Sequence, residues 1–388
     1  MEVTQVYSLV NDATQEALGE SAVVAEDLSN VADIGTEIFN ANAVDSYVRS
    51  LINRIGKVVF VNRPYAGSVP SVLRDGWEFG SILEKIQMDI PEATENESWE
   101  LQDGQSYDPN IFYKPTVSAK FFNKKRTFEV PISIAEKQVK QSFTSPTELN
   151  AFVSMIYSAI DKAMTIKLDA LVMRLINNMI GETVYNEFNS GVYTGGTGIR
   201  AVNLLYEYNQ TLDQADRLTA AQAIKNPDFI RFASYKMGLY VGRLSKISSL
   251  FNIGGQARFT PSDMLHVVYL DEFKAAAGVY LYDAANQFNS ESLRLPESES
   301  VPYWQGSGLD YGFDSTSKIN IKTASGHDVE ISGVLGVMFD RDALAVCCED
   351  RRTTANYNPK AEFYNQWAKW DANYICDTNE NFVVFFVA

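Results

Sequence analysis

Residues that carry chemistry are scarce in this chain of 388 residues, which holds two histidines and three cysteines. His266 and His327 lie far apart, and neither sits at a metal-ligand spacing or beside a candidate nucleophile. Cys347 and Cys348 are adjacent in a strand-like segment, which sends their side chains to opposite faces, a poor geometry for chelation. With Cys376 they are too few for a disulfide scaffold and fit a reducing compartment. There is no G-x-S-x-G elbow and no H-E-x-x-H pair. The stretch GVYTGGTG at 191–198 lacks the Lys-Ser/Thr of a phosphate-binding loop and reads as a flexible junction or hinge. Asp340 and Asp342 flank Arg341. Paired carboxylates can do acid–base or metal work, but these read as a polar turn between two apolar strands. No catalytic residue, cofactor-binding residue or metal ligand is assigned, and no cofactor is expected.

Basic charge is also in deficit. Thirty-three Lys and Arg stand against 49 Asp and Glu, a net charge of −16, which repels a nucleic-acid backbone and argues against a sequence-reading DNA or RNA binder. Long apolar runs are missing too. The longest, such as FVVFFVA at 382–388, are far too short to span a bilayer, so no membrane partner is expected. The first residues lack the basic and apolar regions of a signal peptide. No internal repeat or low-complexity tract is visible. A composition 46% hydrophobic and 12% aromatic argues for a folded chain, and its length for two or three structural units.

What is present in quantity is one helix. Ser145 can serve as N-cap, Pro146 sits at the first helical position and Glu148 falls three residues after the cap. Apolar residues then recur at Leu149, Phe152, Ile156, Ile160, Met164, Leu168, Leu171, Leu175 and Met179, every step three or four. The opposite face carries Asn150, Ser154, Ser158, Asp161, Thr165 and Asp169. Gly181 is the expected stop. Such a helix is ~50 Å long, wider than an ordinary compact domain, whose radius of gyration is ~13 Å for ~100 residues. It either spines a flat or multi-part body or is a slightly broken helix in a large α+β enzyme.

Around it the chain changes character. Residues 1–40 read as mixed and polar, with short helical pieces at best. Residues 43–61 give amphipathic turns ending in a strand-like run. Residues 77–90 and 115–132 look like two arms of a long excursion that leaves and returns. Charge is segregated along it. Residues 84–108 hold Glu84, Asp89, Glu92, Glu95, Glu97, Glu100, Asp103 and Asp108 against Lys85 alone, and 114–126 hold Lys114, Lys120, Lys124, Lys125 and Arg126 with no acid. The basic arm is interleaved with Phe112, Tyr113, Phe121, Phe122 and Phe128. That pattern suits stacking on single-stranded nucleic acid, or a β-arm whose charges meet an acidic neighbour, and the acidic stretch upstream favours the second. Laid on another copy, opposite charges would set register more than affinity. Residues 226–252 read as a helix, 263–283 as a buried strand running into a short helix, 289–317 as loop, and 327–388 as β-rich, with DTNEN at 377–381 a turn between two strand-like arms.

This order of parts resembles the tailed-phage major capsid proteins of the Hong Kong ninety-seven fold, shared with herpesvirus shells and bacterial encapsulins, and within it the small podophages of the phi twenty-nine type. The segments that carry the resemblance are DSYVRSLINRIGKVVF (45–60), LNAFVSMIYSAIDKAMTIKLDALVMRLI (149–176), GVMFDRDALAV (336–346) and FYNQWAKWDANYICDTNENFVVFFV (363–387). The likeness covers most of the chain and is weak from about 181 to 330.

The resemblance implies an α+β capsid fold. Residues 1–61 would be the N-terminal arm and start of the P-domain, 62–132 the E-loop, 133–181 the P-domain with the spine helix, 182–332 the A-domain and 333–388 the return strands of the P-domain. It implies a subunit that self-assembles into pentamers and hexamers of an icosahedral or prolate head in the virion, built in the host bacterial cytoplasm. Partners would be a separate scaffolding protein, a portal or connector at one vertex, and packaged double-stranded DNA bound without sequence specificity. The expected intersubunit contacts are Trp77, Trp99, Lys120, Lys124, Lys125 and Arg126. The chain ends just after its last strand, so no immunoglobulin-like domain is expected, and no crosslinking motif is marked. An encapsulin-like compartment shell is the alternative, and a soluble enzyme or sugar-binding protein with a long interdomain helix ranks last.

Overall fold

The computed structural model describes residues 3–19, 69–74, 83–88, 90–91, 93–135, 146–189, 192–281, 298–304 and 318–388, with isolated positions between 24 and 50. The first element corrects an expectation. α1 (Val3–Leu18) is one helix of 16 residues rather than short pieces. Tyr7, Val10, Ala13, Thr14 and Ala17 are buried or half-buried at helical spacing. Small and polar residues occupy much of that stripe, so its apolar pattern is faint in the sequence. The 43–61 segment lies largely outside the described residues.

Four strands follow: β1 (Leu73–Arg74), β2 (Leu83–Met88), β3 (Val117–Phe122) and β4 (Lys125–Ala135). β2 and β3 pair antiparallel, so the two arms of the excursion meet as a ribbon. Next comes α2 (Pro146–Phe188), a helix of 43 residues, ~65 Å long. Pro146 opens it, and Ser145 lies outside the described residues. From the expected apolar face, Ile160, Met164, Leu168, Leu171, Leu175 and Met179 are all buried. The side chains of Leu149, Phe152 and Ile156 lie outside the described residues.

Two readings of α2 are corrected. Asp169, expected on the polar face, is buried, because from Leu168 to Ile176 the helix is enclosed on nearly every side. Gly181 does not stop the helix, which runs on to Phe188 and ends where Asn189 adopts a left-handed φ of 48°. Gly181 is there for another reason. A β-carbon at this position would overlap the side chain of Ile321, so glycine lets a strand lie against the helix backbone.

Further elements include β5 (Ala201–Asn203), two short helices at Leu204–Asn209 and Ala220–Ala223, α3 (Pro227–Leu244), β6 (Leu265–Leu270), α4 (Asp271–Tyr280), β7 (Glu299–Val301), β8 (Ile319–Lys322), β9 (Asp328–Ile331), β10 (Val334–Asp340), β11 (Leu344–Asn358), β12 (Phe363–Cys376) and β13 (Phe382–Phe386). Asn226 caps α3, its Oδ1 accepting from the Asp228 and Phe229 N–H groups at 2.9 and 3.1 Å. α3 is shorter than the sequence suggested, and the chain after it turns back so that Ser248 bridges Arg258. β7 falls in a stretch expected as loop, and it pairs parallel with β6. The 191–198 junction is pinned rather than hinged. Tyr193 Oη accepts from Ser332 N at 2.9 Å, and Glu187 accepts from Ile199 N and Arg200 Nε at 2.6 and 2.7 Å.

Two larger sheets result. One has the order β1-β11-β12-β4, the other β5-β13-β10-β6-β7, and β8-β9 form a small hairpin. The 333–388 segment therefore divides between both sheets, and the arms on either side of DTNEN do not pair with each other. β10 and β13 are buried along their whole length, which is why they read as unbroken apolar runs. Phe385 packs edge-on against Tyr240 of α3, and the next residue, Phe386, against Phe188 of α2. Successive side chains thus seal opposite faces of the strand. α2 touches β4, β11 and β12 of one sheet, β5 and β13 of the other, and the β8-β9 hairpin, so it is the common spine of all three.

Helix propensity and packing make opposite forecasts at Gly181. Alanine should stabilise an isolated helix by about 0.5–1 kcal/mol, whereas overlap with Ile321 should cost about 1–3 kcal/mol. The packing effect is larger, so Gly181→Ala is expected to lower the urea midpoint. Combining it with Ile321→Ala should cost less than the sum of the two single changes.

Candidate assembly surface

The β2-β3 ribbon has its amphipathicity turned inside out. Register places Lys85 opposite Lys120, Gln87 opposite Ser118 and Met88 opposite Val117. Alternation sends Lys85, Gln87 and Lys120 toward the body, and Glu84, Ile86, Met88, Val117, Ala119 and Phe121 to solvent. A strand pair of an isolated soluble subunit is expected to do the reverse. Beyond the ribbon, every residue from Ile90 to Ala119 whose side chain is described is exposed, including Leu101, Ile111 and Tyr113. Trp99, in a short turn at Glu97–Trp99, is 95% exposed and Phe112 83%. Large apolar side chains exposed in this number mark an interaction site.

Two lysines facing each other across a ribbon repel unless acids lie between them. The turn after β12 supplies those acids. Lys85 Nζ reaches Asp377 Oδ2 at 2.9 Å and Glu380 Oε1 at 2.5 Å, and Lys120 Nζ reaches Asp377 Oδ1 at 2.7 Å. Arg258 pairs with Glu380 at 3.4 Å and donates to Gln87 Oε1. Asp377 is fully buried, whereas the Lys85 and Lys120 side chains stay 21% and 37% exposed. The turn is itself tied down. Asp377 N donates to Ala343 O at 2.8 Å, Gly254 N to Thr378 O at 2.9 Å and Asp340 N to Asn381 O at 3.0 Å.

Burial alone would raise the Asp377 carboxyl, but hydrogen bonds from Lys120 and Lys85 outweigh it and hold the group below the usual carboxylate range. Burial likewise works to lower Lys85, and its bonds to Glu380 and Asp377 raise it overall. The depressed Asp377 value contributes stability that is full above an unfolded value of about 3.9 and lost as pH falls through the folded value. The raised Lys85 value contributes stability that is full below about 10.4 and lost as pH rises through the folded value. Both contributions are thus intact across the neutral range.

The sequence-derived contact residues separate. Trp77 lies outside the described residues. Trp99 is presented to solvent on the arm. Lys120 is engaged within its own chain, and its acidic partner is Asp377 rather than the acidic stretch upstream. Lys124, Lys125 and Arg126 lie exposed where β3 passes into β4, at the outer strand of the four-stranded sheet. Asp377, Glu380 and Arg258 were missed. The signal was the parity of Lys85 and Lys120, each alternating with apolar neighbours.

The histidines and the acid of the 340–342 turn have partners within the fold. His266 stacks on Phe339 and His327 on Tyr185. Asp340 accepts from Thr260 Oγ1 at 2.7 Å and from Asp342 N at 2.8 Å, closing the turn read from the sequence. The Cys376 thiol is pushed up to about 11, chiefly by burial. Among the described residues, no group of three or more His, Cys, Asp or Glu is placed to hold a metal, and no helix is long and apolar enough to cross a membrane.

A family model described as Phi29-like phage major capsid protein matches residues 9–386. The major capsid protein of Bacillus phage PZA is 23% identical over 202 residues, which is 50% of this chain and 44% of that protein. The chain thus aligns with less than half the length of that curated relative. Among solved structures, the capsid structure of Staphylococcus phage Andhra is similar in fold, with a TM-score of 0.53 at 10% identity over 84% of this chain and 86% of that one.

Removing the charge of Asp377 leaves two half-buried lysines facing each other. Asp377→Asn is expected to cost about 1–3 kcal/mol and to raise proteolytic cleavage near the ribbon. In the unaltered protein, that cleavage should stay flat from about pH 5 to pH 9 and rise only below about pH 4.

Proposed function

The chain belongs to the Phi29-like phage major capsid protein family, and on that premise we propose that it acts as a structural subunit assembling with copies of itself into the shell of a tailed-phage head. The observation that carries this reading is the inverted ribbon with its exposed arm, an apolar surface left uncovered among the described residues. The encapsulin-like alternative finds no support in the likenesses described above.

Magnitudes explain why a shell suits this surface better than a simple dimer. Burying what four side chains such as Ile86, Met88, Val117 and Phe121 still expose offers at most about 6–12 kcal/mol, since each is already partly covered. Association costs about 4–15 kcal/mol before any gain is seen. One arm therefore supports at best a weak pair. A closed, symmetric arrangement repeats the contact around each subunit, so contacts of this size add up.

In this reading the ribbon and the residues it carries, within 62–132, act as the E-loop, α2 as the spine helix, and 182–332 as the A-domain around capsomer axes in pentamers and hexamers. Scaffolding protein, portal and packaged double-stranded DNA are the proposed partners, and the host cytoplasm the proposed place of assembly. An acidic surface is compatible with the DNA role, since a shell wall that grips the genome would hinder packaging. The subunit's role is structural rather than catalytic.

Electron microscopy of the expressed chain, alone and with candidate scaffolding protein, tests the proposal. Closed particles, tubes or capsomer sheets are expected. Replacing residues 93–114 with a short Gly-Ser turn should leave a folded monomer that forms none of them. Uniform monomers from the unaltered chain under both conditions would contradict the reading. Lys124, Lys125 and Arg126, all changed to Glu, should lower particle yield more than subunit stability, and an undiminished yield would remove these three from the interface.

A further inference from the structure

The tip of the arm leaves a reactive pair of neighbours in the open. Asp103 and Gly104 are the two central residues of a turn in which Gln105 N donates to Gln102 O at 3.3 Å. Gly104 holds a φ of 86°, the left-handed value that a type II turn requires at this position. Both residues are exposed, and a β-carbon on Gly104 would meet nothing within 4 Å. Among the described residues, no group bonds to the Asp103 carboxylate or to the Gly104 N–H. Elsewhere such carboxylates are occupied. Asp108 Oδ1 accepts from Asn110 N at 2.9 Å, Asp371 accepts from Thr127 and Arg352, and Asp377 accepts from two lysines.

We propose that Asp103 is a modification site: in the unassembled subunit its carboxyl closes on the Gly104 nitrogen and reopens as isoaspartate, so that free subunits age at the tip of the arm. The Gly104 nitrogen attacks Asp103 Cγ. A C–N bond forms, a C–O bond of the carboxyl breaks, and water leaves with one proton from the Gly104 N–H and one that the carboxylate has taken from solvent. The product is a five-membered succinimide, which water opens at either carbonyl. Attack at Cγ restores Asp103. Attack at the main-chain carbonyl carbon breaks its bond to the Gly104 nitrogen and leaves the chain running through Cβ and Cγ. The net change is an isomerisation at constant mass that needs only water. A side chain on the following residue would crowd the attacking nitrogen, and glycine has none. The turn must open for the ring to close, and the bonds that hold it are long and exposed. They measure 3.3 Å across the turn, 3.2 Å from Gln102 N to Tyr107 Oη and 3.4 Å between the Gln102 and Gln105 side chains. The chain has no Asn-Gly pair, and its other Asp-Gly pair, Asp75–Gly76, lies outside the described residues. Isoaspartate adds a backbone methylene to the turn and moves a negative charge close in sequence to Trp99 and Tyr107. Resting on the assembly reading, that change alters the surface a neighbouring copy meets, and an arm already seated on a neighbour is shielded from it.

The test incubates the unassembled full chain in warm neutral buffer for several weeks. Isoaspartate is followed by methyl transfer with an isoaspartyl methyltransferase, and its position is read by electron-transfer fragmentation of the peptide that contains Asp103. The signal at residue 103 is expected to rise steadily and to exceed that at Asp371, whose carboxylate is already bonded. Asp103→Glu, which would have to close a larger ring, and Gly104→Ala should both lose it. If Gly104→Ala disturbs the turn, whose left-handed φ disfavours alanine, Asp103→Glu decides alone. Folded protein that stays free of isoaspartate at 103 overturns the proposal, as does a signal that survives in Asp103→Glu. Assembled particles should accumulate the product more slowly than free subunits, and aged subunits should give fewer particles. Equal accumulation with undiminished yield would overturn the link to assembly. If the unaltered chain forms no particles at all, the assembly reading fails, while the free-chain measurement still decides the modification.

Discussion

The placement of the exposed arm depends on two lysines that face each other across a two-stranded ribbon. Lys85 and Lys120 can share that position only if the body offers acids, and Asp377 and Glu380 provide them. Those acids sit on the turn that joins the last strand of one sheet to the last strand of the other. The same turn bonds to Ala343, Gly254 and Asp340. The direction in which the arm leaves the body is therefore set at the point where both sheets meet. Spending the ribbon's polar side chains on this joint leaves its apolar ones, Ile86, Met88, Val117 and Phe121, facing outward. The exposed surface follows from the joint.

The joint needs a rigid foundation, and α2 with the strands around it supplies one. The helix runs past three sheets and is almost wholly enclosed from Leu168 to Ile180. β10 and β13 are buried on both faces and pair with each other, with Phe385 and Phe386 sealing opposite sides. Gly181 allows β8 to approach the helix backbone directly. Against this body, the described contacts on the ribbon's inner face are made mainly by charged and polar groups.

Much of this was legible in the sequence where pattern and structure share a cause. The long helix showed because its apolar spacing is unbroken, and β6 running into α4 showed because a buried strand precedes a helix start. The arms showed as segregated charge. What was illegible depended on distant partners. Gly181 looked like a stop because the approach of Ile321, 140 positions on, leaves no local mark. Asp169 looked polar-faced because one helix period cannot reveal a second covering layer. α1 was missed because Ala13, Thr14 and Ala17 bury a face without being strongly apolar. At the candidate surface, Trp99, Lys124, Lys125 and Arg126 were singled out in the sequence, and the structure leaves them exposed. Lys120 was assigned outward because its acid, Asp377, lies 257 positions away, inside what looked like an ordinary turn.

Hydroxyl-radical footprinting of free subunits and of assembled particles tests the central claim most directly, by reporting the reactivity of Trp99, Phe112, Tyr113 and Phe121 in each. The account expects these side chains to be strongly modified in the free subunit and protected in particles, with core residues such as Phe385 unreactive in both. Equal modification of the arm in both states would mean that it is not an assembly surface, and that the exposed ribbon needs another explanation.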